Sequence, residues 1–303
     1  MSEIINENII KALYTGGCEI KKNEPLKNHT YFRIGGYTPC MIMPRTKQAF
    51  INAIKVLTEN QITYRTLGGG ANLIVRDGNL DFAVIATKYL TEIKIAENKI
   101  YAEAGIPITR LSLIACENSL SGLEFASGIP GTLGGALFMN AGAYDDEMKN
   151  VVESVEVINT KTLEIKKITN TEMNFGYRKS ILQSSDFIAL SAEIKLQIKN
   201  KKEIEEKMKE LLTKRWEKQP IEYPSAGSTF KRPKPDFYVG TTIEKLGLKG
   251  YSQGDAQISE KHAGFVINRG NATYEEIIKL TDFVKEKIKK EYGENVELEP
   301  EIW

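Results

Sequence analysis

The sequence predicts a mixed α+β/α/β protein built from two or three domains. Three observations carry this. The chain has 303 residues, more than one small core organises. Its first third alternates strand-like and helical apolar periods in a β-α-β order. Its middle third alternates apolar and polar residues with a period of two, the mark of sheet, before composition turns abruptly to Lys and Glu near residue 200.

Taken in order, Ala49, Phe50, Ala53, Ile54 and Leu57 recur with helical spacing, followed by strand-like residues 63–67, a glycine turn and residues 73–75. Residues 83–86 and 100–104 read as further strands, and residues 108–118 as a helix starting after Pro107. Residues 151–158, 163–168 and 187–198 are strand-like, the first two forming a hairpin that turns at Asn159-Thr160-Lys161. Residues 200–219 set Ile204, Met208, Leu211 and Arg215 on one face of an otherwise charged, solvated helix, which Pro220 and Pro224 end. A domain boundary is therefore expected near residue 200, with a smaller α/β unit beyond it. There, Thr273-Tyr274-Glu275-Glu276 is a capping box opening a helix whose buried stripe is Tyr274, Ile277, Thr281, Val284 and Ile288. Residues 296–303 read as a last strand.

Charge and cysteine usage exclude several classes. Lys and Arg total 41 against 40 Asp and Glu, a formal charge of +1, so no global field draws the chain to nucleic acid or an acidic membrane. Cys18, Cys40 and Cys116 are odd in number, widely spaced and without a C-x-x-C pattern, which predicts a reducing compartment, no disulfide framework and no metal site. Met1 is followed by polar and acidic residues, and no apolar run approaches the ~18 residues of a membrane span. A soluble cytoplasmic protein is expected, acting as a monomer.

Two glycine-dense runs point to chemistry: Leu67-Gly68-Gly69-Gly70-Ala71-Asn72-Leu73-Ile74-Val75 and Gly128-Ile129-Pro130-Gly131-Thr132-Leu133-Gly134-Gly135-Ala136. Glycine admits positive φ and removes the side chain that would hold a phosphate away from backbone N–H groups, so the pair reads as one pyrophosphate cradle. Pro130 and Thr132 precede the apolar Leu137, Phe138 and Met139, so the second run is expected to open a helix with free amides facing an anion. Either run alone reads as a tight turn. The chain lacks G-x-G-x-x-G and G-x-x-x-x-G-K-[ST], so another fold must hold any dinucleotide. Gly250-Tyr251-Ser252-Gln253-Gly254 matches a nucleophile elbow, but the required strand before and helix after are missing, and His29 and His262 are poorly placed as its base.

Three further segments offer a fixed cation, a hydroxyl and a carboxyl: Asn174-Phe175-Gly176-Tyr177-Arg178-Lys179-Ser180, Pro224-Ser225-Ala226-Gly227-Ser228-Thr229-Phe230-Lys231 and Glu297-Leu298-Glu299-Pro300-Glu301-Ile302. Singly, each is ordinary: a surface ion pair, a capping serine, a solvated glutamate. Together with Thr30-Tyr31-Phe32-Arg33-Ile34-Gly35-Gly36, both glycine runs, Asn140-Ala141-Gly142-Ala143-Tyr144 and residues 257–262, their order resembles the UDP-N-acetylenolpyruvoylglucosamine reductases, also called UDP-N-acetylmuramate dehydrogenases, over nearly the whole chain.

The resemblance implies the FAD-binding fold of the vanillyl-alcohol oxidase type in two subdomains, residues 1–82 (with 293–303 returning to it) and 83–199, plus a smaller α/β substrate-binding domain at 200–292. It assigns to FAD the residues Gly68, Gly69, Gly70, Ala71, Asn72, Leu73, Gly128, Pro130, Gly131, Thr132, Gly134, Gly135, Asn140 and Ala141. It assigns to the substrate Tyr177, Lys218, Lys231 and Gln257. NADPH is expected to reduce the flavin and be replaced by an enolpyruvyl UDP-sugar, whose methylene carbon accepts hydride while negative charge spreads onto its carboxylate side. Arg178 would stabilise that charge, since its planar fork suits an enolate better than a lysine does. Ser228 would give a proton to the α-carbon by position rather than acidity. Glu301 would assist as an acid whose pKa burial raises.

Departures from the family pattern are expected to matter. Arg232 stands where asparagine is common, the short 178–228 interval is similar to the compact form lacking a tyrosine-bearing loop, and the chain stops at Trp303 where relatives often continue. Two other readings stand beside this one: an oxidase of the same fold, with covalent flavin at His29 or Cys116, and a non-catalytic nucleotide-sugar-binding protein.

Overall fold

A computed structural model describes residues 5–303; the reading of the chain start at Met1 lies outside them. The chain divides into two compact units. The first comprises the described residues up to Glu24, Thr38–Gly69 and Asp81–Thr213. Its opening helix α1 (Glu7–Thr15) is capped by Asn6, whose Oδ1 accepts from Ile9 N at 3.0 Å. A four-stranded sheet follows in the order Cys18–Pro25, Tyr37–Pro44, Ala83–Ala86, Tyr64–Leu67. Helix α2 (Lys47–Glu59) starts at Thr46, whose hydroxyl accepts from Ala49 N, and buries Ala49, Phe50, Ala53, Ile54 and Leu57, the residues its periodicity singles out. Strand Tyr37–Pro44 carries no period-two signal, because Cys40 to Met43 are all buried between flanking elements.

The second sheet of this unit is antiparallel: Ile165–Thr169, Val152–Asn159, Phe187–Lys195, Lys99–Glu103, Ile93–Ala96. The expected hairpin turns at Asn159, whose Oδ1 accepts from the amides of Lys161 and Thr162, both at 2.9 Å. The long strand expected over 187–198 breaks at Leu196 into Phe187–Lys195 and Gln197–Ile198. Helices α3 (Ile108–Glu117) and α4 (Leu133–Met139) complete this core through Leu111, Ala115, Leu133 and Leu137, against Ile100, Val155 and Ile194. Helix α5 (Lys201–Lys218) buries only Ile204, Met208 and Leu211.

The second unit comprises Pro25–Tyr37, Gly70–Leu80 and Lys214–Trp303. Helices α6 (Val239–Lys245) and α7 (Tyr274–Tyr292) enclose a core of Ile243, Ile277, Leu280, Val284 and Ile288 with Phe32 and Ile34. The capping box is present: Thr273 Oγ1 accepts from Glu276 N at 3.2 Å and Glu276 Oε2 accepts from Thr273 N at 3.0 Å. Ser252–Gln253, Ala256–Ile258 and Val266–Asn268 form a small antiparallel sheet. Ser252 therefore sits in a hairpin turning through Gly254 at φ +55°, not at a strand-to-helix elbow. The last strand is shorter than expected: Pro300 has no N–H to donate, so a bridge at Leu298 and the strand Glu301–Ile302 are separate pieces. No helix of the described residues is long and apolar enough to cross a membrane.

Candidate active site

In the first unit the two glycine runs touch, and only glycine fits where they do. A Cβ on Gly68 would lie 2.6 Å from Thr132 Oγ1, and one on Gly69 2.6 Å from Gly131 Cα. Neither position leaves room for a side chain, which keeps backbone amides at the surface of the loop. Among the described residues the amides of Gly68, Gly69, Gly131 and Thr132 take no protein acceptor. That donor set fits a diphosphate. One expectation is corrected: the first amides of α4 are not free, because Leu133 N donates to Ile106 O at 2.9 Å and Gly134 N to Ala104 O at 2.8 Å. The amides open to an anion lie in the loop before the helix. Gly128 and Pro130 are half-buried on the approach to it, and Gly135 is exposed on its first turn.

The far end of α4 holds Arg178. Gly176 and Lys179 pair across a tight turn, with Tyr177 and Arg178 at its tip and Arg178 at φ +53°. The Arg178 guanidinium lies 5.3 Å from the Tyr177 ring centroid, and Tyr177 itself is exposed. Asn140, fully buried at φ +42° as the cap of α4, donates from Nδ2 to Gly176 O at 3.0 Å and accepts at Oδ1 from Lys149 N at 2.9 Å. Ala141 closes the same cap, its amide donating to Ala136 O at 2.8 Å. Cys116 is packed with Ile204 and Met208, and burial raises its thiol pKa, so it is an inert apolar residue rather than an attachment point.

In the second unit a short hydrogen-bonded ladder joins three segments that lie far apart in sequence. Phe230 bridges Leu298 in antiparallel register; Glu299 N donates to Thr229 O at 3.0 Å and Lys231 N to Glu297 O at 2.9 Å. The same register sets Ser228 beside Pro300, next to Glu301. Glu301 in turn pairs in parallel with Leu73, its amide donating to Asn72 O at 3.0 Å, while Asn72 Nδ2 donates to Glu299 O at 3.3 Å. Gly70, at φ +66°, has no room for a Cβ, which would lie 2.0 Å from His29 O, and its carbonyl accepts from Tyr31 N at 3.0 Å. Ala71 is half-buried beside it. Thus the exit of the first glycine run, the serine and the glutamate share one backbone network.

That network has a support which the sequence does not announce. Thr229 N donates to Gly264 O and Thr229 Oγ1 accepts from Val266 N, both at 2.9 Å. Gly264 N donates to His262 Nδ1 at 3.1 Å, and burial lowers the pKa of this imidazole. Gln257 is also occupied within the chain: its Nε2 donates to Gly250 O and Ser252 Oγ, and its Oε1 accepts from Arg269 at 3.0 Å. Lys218 is exposed at the end of α5, and Lys231 is half-buried on the ladder. Glu301 is exposed within the chain, which covers Glu299 and Pro300 instead.

Fold and site define a flavin-dependent oxidoreductase. Residues 38–167 match the family model described as an FAD binding domain, and residues 219–303 match that of the UDP-N-acetylenolpyruvoylglucosamine reductase C-terminal domain. A UDP-N-acetylenolpyruvoylglucosamine reductase from Petrotoga mobilis is 48% identical over 305 aligned positions, covering 99% of this chain and 100% of that one. One from Fervidobacterium nodosum is 45% identical, covering 100% and 98%. The crystal structure of the Thermus caldophilus enzyme superposes with a TM-score of 0.79 at 33% identity, covering 94% of this chain and 98% of that one. The chain belongs to the UDP-N-acetylenolpyruvoylglucosamine reductase family. The expected FAD-binding fold followed by a smaller α/β domain is borne out with it.

Proposed function

We propose that the chain reduces UDP-N-acetylglucosamine enolpyruvate to UDP-N-acetylmuramate with NADPH, in the cytoplasm, as a monomer without nucleic-acid or membrane partners. The observation that carries this reading is the ladder that ties the Ser228 strand, the Glu301 strand and the exit of the first glycine run into one framework. Bound FAD would supply the redox chemistry that links NADPH to hydride addition at the methylene carbon of the enolpyruvyl group. The amides of Gly68, Gly69, Gly131 and Thr132 would hold its diphosphate, with the other glycine-run residues shaping the loop.

The remaining work falls to side chains. Arg178 holds the substrate carboxylate and takes up the negative charge that develops there, a task suited to a permanently charged planar fork. Ser228 Oγ gives its proton to the α-carbon, completing addition of hydride and proton across the double bond. A hydroxyl is a weak acid, so its backbone-fixed position supplies the advantage. Glu301 is assigned as the partnering acid of this step. Tyr177, Lys218, Lys231 and Gln257 are assigned to the nucleotide sugar, and the division at residues 82, 199 and 292 to two flavin subdomains and a substrate domain.

Anaerobic addition of NADPH to the holoenzyme should bleach the flavin, and subsequent addition of the enolpyruvyl sugar nucleotide should restore its absorbance with formation of one product equivalent. A flavin that bleaches but is restored only by oxygen would overturn this function in favour of an oxidase.

A further inference from the structure

Arg178 sits at the tip of a two-residue turn in the left-handed region, a backbone conformation that disfavours non-glycine residues. The turn's own hydrogen bonds are the Gly176–Lys179 pair, which hold its base but not its direction. Three side chains outside the tip supply that direction by tying the turn to the end of α4. Asn140 Nδ2 donates to Gly176 O at 3.0 Å. Ser180, fully buried, donates from Oγ to Phe138 O at 2.8 Å. Gln183 Nε2 donates both to Phe138 O at 2.8 Å and to Arg178 O at 3.0 Å. Phe138 is one of the residues whose carbonyl the end of a helix leaves without an intrahelical donor. The turn thus supplies the missing helix-capping donors, and in exchange the helix end fixes the turn.

We propose that Gln183, with Asn140 and Ser180, is a positioning residue for Arg178 in the reduction of the enolpyruvyl substrate. This assigns the Asn140 side chain to the arginine turn instead of the cofactor, since both ends of its buried amide are occupied by Gly176 and Lys149. Gln183 is the informative member of the set. It is exposed, so its loss does not empty the core, yet its amide donates to the Arg178 carbonyl directly. The inference rests on the proposed role of Arg178 and is tested so that the two can fail separately.

The experiment uses FAD-loaded enzyme carrying Gln183→Ala, Arg178→Ala or both, with the two half-reactions followed by stopped-flow. Gln183→Ala should leave flavin content, melting temperature and the rate of flavin reduction by NADPH unchanged. It should slow flavin reoxidation by the enolpyruvyl sugar nucleotide on the order of 10- to 100-fold, the cost of misplacing a reacting group by about an ångström. In the Arg178→Ala background it should cost nothing further, because the group it positions is gone. An equal loss in both half-reactions, or the same additional loss in both backgrounds, overturns the positioning role. Arg178→Ala that reoxidises at the normal rate overturns the role of Arg178 itself.

Discussion

The arginine turn of the first unit and the serine–glutamate ladder of the second solve the same problem with different materials. Ser228 and Glu301 are placed by main-chain hydrogen bonds: Thr229 to Glu299, Lys231 to Glu297, Glu301 to Asn72. Arg178 is placed by three side chains gripping the end of a seven-residue helix. A ladder is written into the backbone and tolerates replacement of its side chains. A tethered turn depends on every tether. Changes at Ser228 should therefore remove its own chemistry and leave its neighbours in place, whereas changes around Arg178 should act at a distance.

The largest expected effect tests the ladder. Ser228→Ala removes one oxygen from a backbone that stays put, so NADPH should still reduce the flavin at the normal rate. The second half-reaction should fall by roughly 10²- to 10⁴-fold, the usual worth of a positioned proton donor. Loss in both halves by the same factor would show that the serine does something other than donate the proton. Arg178→Lys comes next, with an expected loss of about 10²- to 10³-fold confined to the same half-reaction, since the charge stays while the planar fork goes. Full activity in this variant would mean that charge alone suffices.

A smaller effect concerns the glycine runs of the first unit. Gly69→Ala places a Cβ 2.6 Å from Gly131 Cα, backbone against backbone, so one run must move and about 1–3 kcal/mol of stability is lost together with retained flavin. Gly135→Ala is its control: that Cβ would meet Thr132 Oγ1 at 3.7 Å, an ordinary contact. The control should fold as the parent does. Flavin absorbance per protein and thermal melts separate the two variants, and equal behaviour would break the proposed contact of the runs.

Much of this was legible before any coordinates. Periodicity located α2, and Thr273 with Glu276 marked the start of α7 because capping is a local device. Strand Tyr37–Pro44 was not legible, since burial on both faces erases alternation. The glycine runs were legible as a pair, but not which amides are open: that depends on Ile106 and Ala104, whose carbonyls take the first donors of α4. Gln183 carries no sequence signal, because its meaning comes from two carbonyls, Phe138 at the end of α4 and Arg178 in the turn. Asn140 stood out only within a motif, and its partners show why that motif needs an amide there.

The smallest effect probes the one place where the ladder does depend on a side chain. His262 Nδ1 accepts from Gly264 N, which requires that nitrogen to be unprotonated, and Gly264 O receives the amide of Thr229 beside Ser228. Burial lowers the folded-state pKa of this histidine below its unfolded value, so the unfolded chain binds the proton more readily. The stability this contributes is therefore present above the unfolded pKa of about 6.5 and is lost as pH falls below it toward the folded value. Thermal melts should show a drop on acidification through that window, and His262→Gln should flatten it by removing the titrating group, although other acid-sensitive carboxylates remain. An unchanged slope in the variant would mean that Gly264, and with it the Ser228 strand, is held by the backbone alone, making the contrast with the tethered arginine complete.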